Sequence, residues 1–509
     1  MMSTRKSRRQ ASKRIAPLDL SPAAFRSVGR RAVDDTAKFL ASMPKGSVTA
    51  GSAPKRIRKL LGTGKLPQRG MAPGPLLRAT TKLLFDESLF NGHPRFWGYI
   101  TSSPAPLGML GDLIASAVNP NVGAWVLSPV ASEIEAQTIR WIAELIGYPT
   151  TCGGLLVSGG NMANFIGFLA ARKAKATWDI RTGGLRSGPA AMTVYVSQET
   201  HTWIHKAVDL FGLGLESIRW IPVDADRRMN VKELEQRIAM DRSAGYLPML
   251  VVGTAGTVGV GAVDPLRDIA AVCRRQEVWF HVDGAYGAPA AALPGISDDL
   301  LALSEADSLA LDPHKWLYSP LEAGCTLVKN PAHLEDAFSF HPEYYNFKVS
   351  EEEPALNYYE LGMQNSRGFR ALKVWLALRM VGKAGFVRMI RDDISLSRAM
   401  FDAVRRQPAL EPFAQNLSIA TFRYLPQDLR GKGEAAAEYV NDLNRELLNR
   451  LQTGGEAFIS NAVVDGTYLL RACIVNFRTK LADVKSLPEL VVRIGSQVDS
   501  ELRPASLHA

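Results

Sequence analysis

Cysteine is scarce in this chain: Cys152, Cys273, Cys325 and Cys473 are its four, and no two stand as Cys-x-x-Cys. That scatter excludes a disulfide framework and a cysteine zinc cage, and it suits a reducing compartment. Long apolar runs are missing too. No stretch approaches the roughly 20 uncharged residues that cross a bilayer. The first ten residues, Met1-Met-Ser-Thr-Arg-Lys-Ser-Arg-Arg-Gln10, hold no apolar segment of the secretory kind. Export and a membrane partner are therefore not expected, and a cytoplasmic location is. No internal repeat is present.

Basic residues are plentiful, with a formal net charge of +10, but their placement weakens a nucleic-acid reading. Arg5, Lys6, Arg8, Arg9, Lys13 and Arg14 crowd into a terminal tail, and a second acid-free stretch runs from Lys45 through Lys55, Arg56, Arg58, Lys59 and Lys65 to Arg69. Such runs read as a disordered tail and solvated linker faces before they read as a polyanion site. No nucleic-acid-binding motif accompanies them. The rival of a different class is a catalytically idle protein that binds a polyanion through this tail, marked by salt-sensitive binding.

At 509 residues the chain exceeds what one core usually serves. Four segments are expected: a basic disordered tail (1–17), an N-terminal helical segment (18–103), a large α/β domain (104–373) and a smaller α+β domain (374–509). Helical periodicity through Phe25, Val28, Val33, Phe39 and Leu40 predicts a helix over 22–43, broken by the Gly/Pro/Ser-rich stretches 44–54 and 66–74. Such an arm buries little alone and is expected to pack on a partner subunit. Short apolar runs at 192–196, 249–252, 278–282 and 309–311 read as buried strands. Asp264-Pro265 opens a helix to Arg275 with Leu266, Ile269, Ala270 and Cys273 on one face. Strand–helix–strand repetition predicts a mainly parallel sheet covered by helices. Beyond 373, helices at 386–405 and 435–452 alternate with strands at 418–424 and 467–475.

Chemistry concentrates at strand ends. Asp283 closes the run Val278-Trp-Phe-His-Val282, and Lys315 follows Leu309-Ala-Leu-Asp-Pro-His314. In open α/β sheets ligands gather at the carboxyl ends of strands. A lysine that forms a Schiff base must shed its proton, which an apolar setting favours. A carboxylate against a pyridine nitrogen keeps that nitrogen protonated. The pair is what pyridoxal 5'-phosphate requires. Gly153-Gly-Leu-Leu-Val-Ser158-Gly-Gly160-Asn161 is a glycine-rich turn entering a helix, suited to an anion. It lacks the Lys-Ser/Thr ending of a nucleotide loop, which argues against ATP. His201 and His205 have the spacing of a half metal site but no third ligand, so no metal is expected. An imidazole stacked on the cofactor ring is the better reading of His201, and a capping or core histidine that of His205.

Assembled, these segments resemble the group II pyridoxal-phosphate decarboxylases, the aromatic-L-amino-acid decarboxylase family of fold type I. The motifs that carry the likeness are His93-Pro-Arg-Phe-Trp-Gly-Tyr99, Ser128-Pro129 with Glu133-Ile-Glu135, Thr254-Ala-Gly-Thr257, His281-Val-Asp283-Gly-Ala285 and Pro313-His-Lys315-Trp316. The resemblance implies a fold type I architecture: a mainly parallel seven-stranded sheet flanked by helices, an N-terminal helical arm and a small C-terminal α+β domain. It implies a homodimer with the active site at the subunit interface. Lys315 would be the Schiff-base lysine, Asp283 the partner of the ring nitrogen, and His201 and Ala285 the two faces of the ring's slot. Gly160, Asn161 and His314 fall where the family holds the phosphate, and Thr257 and Asp312 complete the cofactor contacts. Tyr99, Ile100, Thr101 and Ser102, with Ser366 and Arg367, would meet the substrate. Tyr344, in His341-Pro342-Glu-Tyr344-Tyr345, matches the loop tyrosine that protonates the carbon after carbon dioxide leaves, where related aldehyde synthases carry phenylalanine.

The implied reaction is decarboxylation of an aromatic or related L-amino acid (tyrosine, tryptophan, DOPA or histidine) to its amine. Its alternatives are an aldehyde synthase or another fold type I carbon–carbon lyase. Departures touch the cofactor's surroundings: Asp312 stands where animal enzymes carry Asn, Val258 where a second Thr is usual, and Gly284 replaces a common Ala. Ile100 replaces an aromatic residue of the expected substrate pocket, and Ser366 stands where histidine decarboxylases carry Ser.

Overall fold

Strands β1 (Gly153–Val157), β2 (Met192–Ser197), β3 (Ile218–Ile221), β4 (Leu247–Thr254), β5 (Trp279–Asp283), β6 (Ser308–Leu311) and β7 (Gly324–Val328) form one sheet in the order β1-β7-β6-β5-β4-β2-β3. The computed structural model describes residues 16–340 and 355–507. β2 through β6 pair in parallel, and β7 alone runs against its neighbours. The reason is local. A parallel pair needs a helical crossover, but the β6–β7 connection holds no helix and so returns antiparallel. Lys315 sits in that return.

The central strands are buried along their whole length, as expected for a sheet with helices on both faces, and so lack polar alternation. Four of them coincide with the apolar runs read from sequence. β1, β3 and β7 do not: β1 lies inside the glycine-rich stretch that reads as a turn.

The helix expected from Asp264 begins at Leu266. Asp264 does not cap it. Its fully buried carboxylate accepts from the backbone N–H of Met229 (2.7 Å) and Thr254 (2.8 Å), tethering the end of β4. Burial pushes the Asp264 carboxyl up to about 7.

A second sheet, β8 (Leu410–Asn416), β9 (Ile419–Tyr424), β10 (Ser460–Val464) and β11 (Thr467–Cys473), is antiparallel in the order β10-β11-β9-β8. It packs a separate core, including Phe422, Leu443, Leu470 and Val491, with the helices Glu434–Gly454 and Leu481–Leu502. The segment 374–509 is nevertheless not a separate compact unit. Residues 91–452 and 456–509 form one body. Helix Ala371–Arg405, longer than expected and broken at left-handed Gly382, gives Phe386, Ile390 and Ile394 to the first core and Met400, Phe401 and Val404 to the second.

Residues 16–90 with 453–455 form the other unit. Its helices Pro22–Ser42, Pro54–Leu61 and Pro73–Glu87 are joined by a Phe39–Phe85 stack (4.1 Å between rings) and an Arg56–Glu87 ion pair (2.7 Å). It ends at Phe90, short of the expected 103. His93, Trp97 and Ser102 bond instead within the large body, to Asn476, Thr479 and His314. Among the described residues no helix is long and apolar enough to cross a membrane.

Asp393, fully buried, accepts from Trp316 Nε1 (2.9 Å) and Tyr318 Oη (2.7 Å), and so clamps the turn that carries Lys315. Burial pushes its carboxyl up to about 7 from an ordinary 3.8. The folded chain then holds a proton that the unfolded chain releases, so this group's contribution to stability declines as pH climbs from about 4 to about 7. Asp393→Asn has no such proton to lose. Its stability relative to the native chain should improve across that window by up to about 1.4 kcal/mol per pH unit, and level off above it. Urea unfolding across the window measures this, and a difference independent of pH would show that the carboxyl titrates normally.

Candidate active site

The parallel register sets Thr254, Asp283 and Ala310 abreast at the ends of β4, β5 and β6. Beside them, β1 ends at Val157 and the chain turns through Ser158 and Gly159 into helix Gly160–Lys175. These ends enclose a cavity of about 470 Å³ whose walls include Lys315, Asp312, His314, Asp283, Ala285, His201, Gly160, Asn161 and Ile100. The lysine and aspartate expected to grip one ring thus share one chamber.

The polar groups are held by bonds to their surroundings. Asp283 Oδ2 accepts from Trp203 Nε1 (2.8 Å), and Oδ1 from the Ala285 N–H (3.2 Å). Lys315 Nζ lies 2.9 Å from Asp312 Oδ2. His314 Nδ1 accepts from the Ala323 N–H (3.1 Å), and burial lowers its imidazole below the usual value. His201, partly open to solvent, accepts at Nδ1 from the Trp203 N–H (3.2 Å). Desolvation lowers its pKa despite the opposing pull of Asp283, with Lys315 lowering it further. A neutral ring with its remaining proton on Nε2 follows.

Two buried atoms of the cavity wall, Asp312 Oδ1 and Thr254 Oγ1, have no hydrogen-bond partner. An unpaired acceptor and an unpaired hydroxyl on residues of one cavity wall are what a polar occupant would satisfy. Next to Asp312, the helix-start residues Gly160, Asn161 and Met162 line the cavity. A Cβ at 160 would come 2.7 Å from Asp312 Oδ2 and 3.4 Å from the Ala285 methyl, so a larger residue there requires the Asp312 side chain to move. Helix-start amides, a carboxylate and an amine around one cavity are the donor set that pyridoxal phosphate requires. The cofactor fits.

Several expected residues lie elsewhere within the chain. Thr257 is off the cavity wall: its hydroxyl accepts from the Ala262 N–H (3.0 Å) and pins a turn, while Thr254, Gly256 and Val258 face the chamber. Arg367 is no substrate contact here. It is fully buried, paired with Glu135, bonded to the carbonyls of Val122 and Leu156, and laid on the Tyr358 ring. Withdrawing that guanidinium would strand Glu135 without a countercharge. Tyr99, at positive φ, and Ser366 are exposed, and Thr101 is half-buried off the wall. Ser102 donates to the His314 carbonyl (2.8 Å) from behind. Of the expected substrate contacts, Ile100 lines the cavity. Tyr344 lies outside the described residues. His205 is exposed and rests against Trp220, 5.2 Å between rings. Among the described residues no cluster of ligating side chains could hold a metal.

Sequence reading missed Thr254, Trp203 and the buried His281. The period of two along β5 puts His281 on the same face as Asp283 and marks it out. Nothing local marks Trp203, which reaches Asp283 from a distant helix.

Comparison with known proteins follows from this geometry. The profile of the pyridoxal-dependent decarboxylase conserved domain matches residues 67–424. An aromatic-L-amino-acid decarboxylase of Bacillus atrophaeus is 33% identical over 487 residues, covering 94% of this chain and 97% of that protein. A phenylacetaldehyde synthase of a Rosa hybrid cultivar is 28% identical over 464 residues, covering 89% and 90%. The crystal structure of Oryza sativa TDC with PLP and tryptamine superposes with a TM-score of 0.86 at 28% identity, covering 95% of this chain and 99% of that one.

The Gly160 approach is testable. Gly160→Ala should weaken cofactor binding at least about tenfold, by displacing Asp312, while the unfolding midpoint moves little. Fluorescence titration of the apoprotein reads the first and calorimetry the second. Undiminished affinity would show that the close contact is not needed.

Proposed function

The chain belongs to the pyridoxal-dependent decarboxylase family and is a pyridoxal-phosphate-dependent carboxy-lyase acting on an amino acid; we propose that its substrate is an aromatic or related L-amino acid, released as the amine and carbon dioxide. The observation that carries this reading is the convergence of Lys315, Asp283 and the Gly160 turn on one cavity with two orphaned polar atoms. The names of its relatives, an aromatic-amino-acid decarboxylase among them, support the substrate class.

Bound pyridoxal phosphate supplies the electron sink that receives the pair left by the departing carboxylate. In our reading Asp283 keeps the ring nitrogen protonated, and the Trp203 indole holds that carboxylate in line. The helix-start amides at Gly160 and Asn161, with His314, take the phosphate. Lys315 supplies the anchoring amine and hands protons across its short contact with Asp312. Neutral His201 closes one face of the slot against ring tilt. Tyr344 delivers the proton to the substrate carbon, and Ile100 shapes the side-chain pocket. Thr254, rather than Thr257, offers the free hydroxyl beside Asp283.

We also propose a cytoplasmic homodimer, with segment 18–103 contributing to dimerisation and the site at the subunit boundary. Supporting it, helix Pro106–Val118 exposes Leu110, Leu113, Ile114 and Val118, and Val126, Leu127 and Val130 are exposed nearby in sequence. Such a face is costly to leave in water. The four free thiols suit a reducing compartment.

A second reading, the aldehyde synthase, rests on the Rosa relative; Tyr344 in place of phenylalanine favours plain decarboxylation. Two experiments test these assignments. Lys315→Ala should abolish the visible imine absorbance and carbon dioxide release from tyrosine, tryptophan, DOPA and histidine, and a borohydride-reducible adduct surviving in that variant would remove Lys315 from the role. Tyr344→Phe should divert product from amine toward aldehyde with oxygen uptake, and an unchanged product ratio would remove Tyr344 from proton delivery.

A further inference from the structure

Beneath the cavity floor, buried polar side chains form a hydrogen-bonded line with a donor and an acceptor assigned at every link. Trp279 Nε1 donates to Ser308 Oγ (2.8 Å), which lies 2.7 Å from His281 Nδ1. His281 Nε2 is 2.8 Å from Asn164 Oδ1, and Asn164 Nδ2 donates to the Gly160 carbonyl (2.9 Å). A carbonyl only accepts, so the Asn164 amide has one orientation, and His281 must carry its proton on Nε2. Burial pushes this imidazole down to about 4, leaving it neutral with Nδ1 as an acceptor. The Ser308 hydroxyl therefore donates to Nδ1.

This line ties β5, the strand that ends in Asp283, to the start of the Gly160 helix. His281 stands two residues before Asp283 on the same face of β5. One terminus of the line is the carbonyl of Gly160, the first residue of the helix read as holding the phosphate. The helix rests on the ring itself: a Cβ at Gly167 would come 2.7 Å from His281 Nδ1 and Cε1. Trp203, whose indole holds Asp283, meets the His281 ring edge-on at 5.8 Å. One side chain thus touches the supports of both grips.

We propose that His281 is a positioning residue that sets the separation and angle between the Gly160 helix start and the Asp283 carboxylate. A flat cofactor of fixed length must satisfy both grips at once, so an error in their separation costs affinity only for a molecule that spans them. The proposal rests on reading Gly160 and Asp283 as the two ends of the cofactor site.

The test compares three probes on apoprotein prepared from the full chain: pyridoxal 5'-phosphate, which spans both grips, and pyridoxal and inorganic phosphate, which engage one end each. In His281→Leu, affinity for pyridoxal phosphate should fall at least about tenfold, while pyridoxal and phosphate stay within about twofold of the native chain. His281→Gln, which can still donate to Asn164, should recover most of the loss. Asn164→Asp, which keeps the volume but sets an acceptor against the Gly160 carbonyl, should reproduce the selective loss even if the leucine variant does not fold. Equal weakening of all three probes, unaltered binding of pyridoxal phosphate, or a glutamine variant no better than leucine would each overturn the proposal. Failure of the native chain to bind pyridoxal phosphate would instead overturn the reading of the site.

Discussion

The parallel pairing of β4, β5 and β6 is the constraint on which the rest of this molecule depends. Its register brings Thr254, Asp283 and Ala310 level, a strand spacing of about 4.8 Å apart, at the carboxyl ends of three central strands. From that row the chain can put a carboxylate at the centre, a hydroxyl to one side and, through the β6–β7 return, an amine to the other. A slip of one residue in β5 would turn Asp283 and His281 to the opposite face together. Chemistry and support would be lost in the same step.

The second theme is the use of buried polar groups as tethers. Asp264 fastens the end of β4, Asp393 fastens the turn of Lys315, and His281 sits between the anion-facing helix and β5. None belongs to the reacting surface. Each leaves water for a small set of directed hydrogen bonds, and desolvation moves all three toward their neutral forms. Directed bonds resist sliding in a way that apolar packing does not, which is what a site with two fixed grips requires. Arg367 and Glu135 serve the same end as a charged pair, locking β1 to the segment around 122. This explains why the Arg367 guanidinium, expected to meet the substrate, is absent from the cavity wall.

Membership of the pyridoxal-dependent decarboxylase family and the geometry of the cavity agree on the class of reaction. In the proposed function, electron withdrawal comes from the cofactor, while the protein supplies two grips, a face-closing imidazole and a proton path. Substrate choice is a separate matter, which the proposed function assigns to the cavity wall around Ile100.

What the sequence determined by itself was whatever depends on neighbours along the chain. Continuous apolar runs marked β2, β4, β5 and β6, because strands buried on both faces need no alternation. Asp283 and Lys315 were legible as candidates because Asp283 closes such a run and Lys315 follows one, and ligands of open α/β sheets gather at strand ends. Tertiary structure alone decided the direction of β7, the exchange of Thr254 for Thr257 on the cavity wall, the burial of Arg367, and the hold of Trp203 on Asp283. It also decided that Asp264 ties β4 instead of capping a helix, and that helix Ala371–Arg405 belongs to two cores. Those outcomes turn on which partner reaches a buried polar group first across tens to hundreds of residues, and no local period encodes that competition.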